Sequence, residues 1–206
     1  MGKSAGYHGI QNMKVAKKEN GTYGAIAPFD FAKNISLNSL LNAIEQHADN
    51  RLIFRVPKDD GYDGELGTTA QDTELEKSLG YYKEGKSGGI KTSLVSYARN
   101  AVYYEFTEHD KDGVAYAVKV WLYNVEIGKA SENTATDTDS IEFGNYSYPI
   151  RVYGDKLMAS DGENEYLDEN GLGRNAFMYI SRPGDTGYET FGDSVPAPEM
   201  KEEATE

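Results

Sequence analysis

Between Ala101 and Leu122 the chain keeps a period of two on both sides of a turn. Val102, Tyr104 and Phe106 alternate with Tyr103, Glu105 and Thr107, Glu108-His-Asp-Lys-Asp-Gly113 interrupts, and Tyr116, Val118, Val120 and Leu122 resume on one face. Successive side chains of a strand point to opposite faces, so this pattern predicts an antiparallel hairpin with a buried side. Tyr146, Tyr148, Ile150 and Val152 repeat the period within Ile141–Tyr153, after a polar loop from Glu126 to Asp139. Further extended runs are expected at Tyr23–Phe31, Ile35–Ile44 and Arg51–Val56, with a last strand at Phe177–Ile180. Pro28 marks a break or an edge, Pro57 closes a strand, and Asp59-Asp-Gly-Tyr-Asp-Gly64 has the composition of a turn, followed by an extended run from Tyr62 to Gly67.

One helix interrupts the strands. Thr69-Ala-Gln-Asp72 fits a capping box, Leu75 and Leu79 share a face, and Gly80 stands where a helix ends. The expected fold is mainly β, an antiparallel sandwich or barrel with one short flanking helix. Residues 13–182 are its body, residues 1–12 a small, polar N-terminal arm, and residues 183–206 a flexible acidic tail. The 16 Tyr against 7 Phe and 1 Trp agree with half-buried strands, because tyrosine buries a ring and keeps its hydroxyl wet.

Composition excludes several chemistries. With no cysteine there is no disulfide, thiol nucleophile or zinc-thiolate site. A formal net charge of −13 disfavours binding to nucleic acid and anionic membranes. The first residues form no apolar signal segment, Gly6 occupies the Ser/Thr position of a myristoylation pattern, and no apolar run approaches the ~18 residues of a membrane span. The chain is therefore expected to be made and kept in soluble form, without a membrane partner.

Motif matches fail on context. Gly80-Tyr-Tyr-Lys-Glu-Gly-Lys-Ser87 satisfies the phosphate-loop pattern, but that loop needs a strand before it and a helix after it, and here a helix ends at Gly80. Gly85-Lys-Ser-Gly-Gly89 spells a nucleophile elbow without the strand-to-helix turn that strains the serine. Gly171-Leu-Gly-Arg-Asn-Ala176 lacks a surrounding βαβ unit. Asp110-Lys-Asp-Gly113 places its glycine two positions early for a calcium loop and is better explained as a hairpin turn. His8, His47 and His109 are far apart in sequence and show no ligand spacing. The expectation is a non-enzyme with no catalytic residues, no cofactor and no metal.

Several segments, in order, resemble the phi13-type phage major tail protein family. They are Gln46-His-Ala-Asp-Asn50, Gly61-Tyr-Asp-Gly-Glu-Leu66, the helix ending at Leu79-Gly80, Ala101-Val-Tyr-Tyr-Glu-Phe106, Val120-Trp-Leu-Tyr-Asn-Val125 and the Thr/Asp-rich loop before Ser140-Ile141. The resemblance spans roughly residues 7–154, and the chain beyond Asp185 has no counterpart in it. It implies a tail-tube fold and a virion protein of a siphophage tail, made in the host cytoplasm. Members are homo-oligomers that self-assemble as hexameric rings stacked around a tape-measure protein, with an acidic lumen that passes DNA during ejection without specific binding. Inter-subunit contacts are expected in the N-terminal arm, around Ala48–Gly64 and in the loop Glu126–Asp139. Asp49, Asn50, Tyr62 and Gly64 match the family pattern most closely, and the alternative is that these four shape a turn. A second functional reading is a carbohydrate-binding β-sandwich or virion decoration that stacks sugars on Tyr81, Tyr82 and Trp121.

Overall fold

The computed structural model describes residues 4–48, 51–133 and 145–201. In chain order the elements are β1 (Ser4–Glu19), β2 (Thr22–Pro28), β3 (Ala32–Ala48), β4 (Arg51–Thr68), α1 (Thr73–Leu79), β5 (Tyr82–Gly85), β6 (Gly88–Lys91), β7 (Arg99–Asp110), β8 (Ala115–Ile127), β9 (Ser131–Asn133), β10 (Asn145–Val152), β11 (Asp155–Lys156), β12 (Asn175–Ala176) and β13 (Met178–Ser181). The fold is mainly antiparallel β with a single short helix among the described residues, as the alternation predicted. The main sheet runs β2-β1-β7-β8-β10-β4-β3, with β13 on β8 and β9 on β10.

The predicted hairpin is the centre of this sheet. Val102, Tyr104, Val118, Val120 and Leu122 face one apolar cluster, while Ala101, Tyr103, Trp121 and Tyr123 face a second on the other side. Asn124 then takes a positive φ of 53°, and Val125 and Ile127 return to the first cluster one position out of phase. Its strained backbone is held by two bonds: its N–H donates to the Tyr23 hydroxyl (2.9 Å), and its Nδ2 donates to the Gly154 carbonyl (2.9 Å). This local break lets one strand serve two neighbours. β8 pairs with β13 through Lys119–Leu122 and with β10 through Val125–Ile127.

Helix α1 forms where expected but starts differently. Asp72, not Thr69, is the N-cap, its Oδ1 accepting from the Leu75 N–H at 2.9 Å. Gly80 adopts the left-handed conformation and donates to the carbonyls of Glu76 and Lys77. Leu75 and Leu79 are buried in the first cluster, so the helix closes one end of that core. Phe29 meets Tyr148 edge-on there, with ring centroids 5.9 Å apart.

Three other expectations are corrected. Residues 4–12 are not a free arm but the first half of β1, paired along β7 from Ser4 opposite Asp110 to Gln11 opposite Glu105. Asp59–Gly64 is not a reversal, because β4 runs through Pro57 and these residues as one 18-residue strand. Residues 183–201 are not a loose tail. Trp121 Nε1 donates to the Phe191 carbonyl (2.8 Å), Tyr123 to Pro196 (2.8 Å), Lys14 to Gly192 (2.8 Å) and Lys119 to Tyr188 (2.8 Å), and Phe191 itself is buried in the second cluster. The segment supplies carbonyls to donors that the sheet would otherwise bury unpaired.

Buried tyrosines give the fold a pH limit. Burial raises Tyr104 to about 12. It also raises Tyr81, Tyr103, Tyr123 and Tyr148, and it raises Tyr23, whose hydroxyl additionally donates to Asp155 at 2.6 Å. A folded-state pKa above the unfolded value of about 10 means that the unfolded chain releases these protons first. The stabilisation is therefore complete below about pH 10 and is lost progressively above it. Alkaline titration followed by phenolate absorbance and circular dichroism is expected to show the phenolates of these six tyrosines appearing together with unfolding. A smooth titration of all tyrosines near pH 10 with the fold intact would contradict this.

Candidate self-association surface

Strands β3 and β4 are hydrogen-bonded to one another along nearly their whole lengths, from Ala32–Thr68 to Ala48–Arg51. The rest of the sheet reaches only their base, since β10 pairs with β4 over Tyr62–Thr68 and no further. Beyond Leu41 and Asp59 the two strands form a ribbon that extends past the sheet by roughly 25 Å at the usual rise per residue.

The pairing of Ile44 with Val56 and of Gln46 with Phe54 puts Ile44, Val56 and Phe54 on one face of the ribbon. These side chains are 54%, 48% and 45% exposed, and Leu41 is also exposed but by its register shares the other face with Glu45. On the opposite face Glu45 and Arg55 form an ion pair at 3.3 Å. That pair lies in water and adds little. A two-stranded ribbon is at best marginal alone in water, and a contiguous exposed apolar patch marks a contact surface.

The base of the ribbon is set by close backbone packing. Gly61 has a φ of 87°, and its N–H donates to Asp59 Oδ1 (3.0 Å), so the Asp-Gly signal makes a local irregularity within a strand instead of a turn. Gly64 lies against the backbone of Ser36, and any Cβ there would strike the Ser36 carbonyl. Gly64→Val is therefore expected to cost several kcal/mol, seen as poor soluble yield or a lowered melting temperature. Wild-type thermal stability would contradict this.

The four sequence-predicted contact residues fare differently. Tyr62 is half-buried, packing edge-on against Phe177 at 5.8 Å, and Gly64 is occupied by the β3–β4 approach. Both sit in a strand at the root of the ribbon, and their observed partners are within the chain. Asp49 and Asn50 lie outside the described residues. In the loop Glu126–Asp139, residues 126–127 belong to β8 and 131–133 form β9, while 134–139 lie outside the described residues. What sequence reasoning missed is the apolar set Ile44, Phe54 and Val56. Its only signal was an apolar alternation resembling an ordinary buried strand.

Among the described residues the sheet also ends in two open edges. β2 carries no charged residue, and 17-residue β3 carries only Lys33 and Glu45 and no proline. Long, sparsely charged edges invite pairing with another chain. The outward face at the base of the ribbon is polar, with Ser36 opposite Glu65 and Asn38 opposite Asp63. Glu65 accepts from the Ser147 hydroxyl at 2.7 Å.

The remaining motif segments have structural roles. Tyr82–Gly85 and Gly88–Lys91 form a hairpin with Lys86 and Ser87 at its turn, so no helix follows the phosphate-loop pattern or the elbow pattern. Asp110 Oδ1 accepts from the backbone N–H groups of Asp112 and Val114 within the β7–β8 turn. Asp161 and Asp168 hold their turns in the same manner, and backbone donors lower both carboxyl pKa values. Trp121 and Tyr81 are fully buried, which removes them as a sugar-stacking platform.

No family model matches the sequence, and no curated protein matches it. Among solved structures, the chain is similar to one from a structure titled cryo-EM structure of the anti-feeding prophage (AFP) baseplate, 6-fold symmetrised. The two are 9% identical with a TM-score of 0.37, over 68% of this chain and 88% of that one. Overlap at this level carries no argument about fold or function.

Proposed function

We propose that this chain is a structural, non-catalytic subunit of a phage tail tube, assembling with copies of itself into stacked hexameric rings in the virion. The observation that carries the reading is the projecting β3–β4 ribbon, whose apolar face has no partner within the described residues of the chain. Heterologous head-to-tail contacts close a ring, and a second pair of complementary surfaces stacks rings. Two sparsely charged sheet edges and a ribbon provide surfaces of both kinds. The ordered sequence resemblance to phage major tail proteins supplies the biological setting, including a tape-measure protein in the bore and transit of DNA.

The polar outer face bearing Asp63, Glu65, Ser36 and Asn38 is the face assigned to the bore. The carboxylates of Asp63 and Glu65 repel phosphate, with Arg151 of β10 standing opposite Asp63. Changing Asp63 and Glu65 together to lysine is expected to give assemblies that retain double-stranded DNA at low salt, measured by co-sedimentation, whereas wild-type assemblies do not. Equal DNA retention by both would count against this bore assignment. The assembly reading itself is tested by sedimentation velocity across a wide concentration range. Ring-sized and larger species are expected, and a monomer at every concentration contradicts the proposal.

A further inference from the structure

His8 and His109, 101 positions apart, stand side by side on the surface where β1 meets β7. Their Nε2 atoms are 3.0 Å apart and their ring centroids 5.2 Å. The strand register explains the meeting. Gly6 is opposite His109 and His8 opposite Thr107, so the two histidines are diagonal neighbours on one face of an antiparallel pair. Gly6 has no side chain to compete for that space, and a register shift between His8 and Ile10, at Gly9 with its φ of 68°, follows directly.

We propose that these two imidazoles form a chelating site for a borderline divalent cation of the Zn²⁺ or Ni²⁺ kind. Zinc–imidazole bonds are about 2.0–2.1 Å, which places two donors on one tetrahedral ion about 3.3 Å apart. The observed separation needs only a small opening of the pair. The second shell is already present for one ligand. His109 Nδ1 lies 3.4 Å from the Gly113 carbonyl, so that nitrogen keeps its proton and Nε2 faces His8 with its lone pair.

In the metal-free pair His8 Nε2–H donates to His109 Nε2. Binding requires His8 to move that proton to its own Nδ1 through solvent, after which both rings coordinate as neutral imidazoles and no net proton is released. The remaining positions of the ion go to water. Asp110 and Asp112, on the turn that follows His109, add a negative field that favours a cation. A bound ion bridges the first residues of β1 to the end of β7, tying the chain's N-terminal strand to the central hairpin. The site is independent of the tail-tube reading.

The test is calorimetry and thermal unfolding of the purified, untagged chain after treatment with a chelator. Titration with Zn²⁺ is expected to show one ion per chain and to raise the melting temperature by about 3 °C at excess metal, while Mg²⁺ does neither. His8→Gln and His109→Gln are each expected to lose the zinc response, and His47→Gln to keep it. Both histidines being at the surface, the variants are compared only after circular dichroism confirms the wild-type fold. An unchanged zinc response in folded His8→Gln, or no zinc binding by the wild type, overturns the proposal.

Discussion

Replacing Ile44 and Phe54 together by lysine is expected to abolish self-association while the melting temperature stays within about 2 °C of wild type. Both side chains are roughly half exposed on the free part of the ribbon, and no cluster of the core includes them. The folded chain therefore loses little when they become charged. Assembly loses much more. Full burial of an exposed Ile, Val or Phe side chain contributes about 1.5–3 kcal/mol, and Ile44, Val56 and Phe54 have about half of their area left to bury, so together they are worth on the order of 3 kcal/mol per contact before the cost of association. An unpaired ammonium buried in their place reverses the sign. Sedimentation velocity on the double variant, beside differential scanning calorimetry, separates the two effects. Assembly at wild-type concentration would show that the ribbon is not the contact.

The second large effect lies at the second apolar cluster. Removing residues 184–206 is expected to destabilise the fold severely, with a red shift in the emission of Trp121. That indole is fully buried, and its Nε1–H donates to the Phe191 carbonyl, which the truncation deletes. The same deletion strips the partners of Tyr123 and Lys14 and opens Tyr103 and Ala101 to water. Phe191→Ala isolates the apolar share of this loss at about 3 kcal/mol, or about 6–12 °C in melting temperature. Since Trp121 is the single tryptophan, its emission reports this face alone. Unshifted emission and a cooperative transition at the wild-type temperature would show that the segment only rests on the sheet.

The local parts of the fold were legible because their signals are local. The period-two pattern of Val102–Phe106 and Tyr116–Leu122, the leucine pair of α1 and the glycine at its end each act within a few residues. The misread parts depend on partners distant in sequence. Asp59-Asp-Gly looked like a turn, but β3 supplies a continuous ladder from Ala32 to Ala48, and one positive φ at Gly61 is absorbed inside the strand. Pro57 is tolerated because β4 has a neighbour on only one side there. Residues 4–12 are glycine-rich and polar, yet β7 lends them a partner strand. Residues 183–201 carry no periodicity, since what fixes them is a set of donors on Lys14, Lys119, Trp121 and Tyr123. The histidine pair was invisible for the same reason, being created only by the β1–β7 register.

Tyr62 and Gly64 illustrate a subtler point. The sequence singled them out as contact residues, and the structure finds them filling intramolecular roles at the root of the surface they were meant to form. A glycine that permits two strands to approach and a tyrosine that braces the base govern how the ribbon is presented. The side chains that meet water, and in the proposed assembly another copy, lie farther out at Ile44, Phe54 and Val56.

The most direct measurement is electron microscopy of the purified chain, concentrated and class-averaged beside the Ile44→Lys/Phe54→Lys double variant. The account requires hollow, sixfold rings or stacked tubes from the wild type and single dispersed particles from the variant. Wild-type particles that remain compact monomers, or rings that form equally well from the variant, would contradict it.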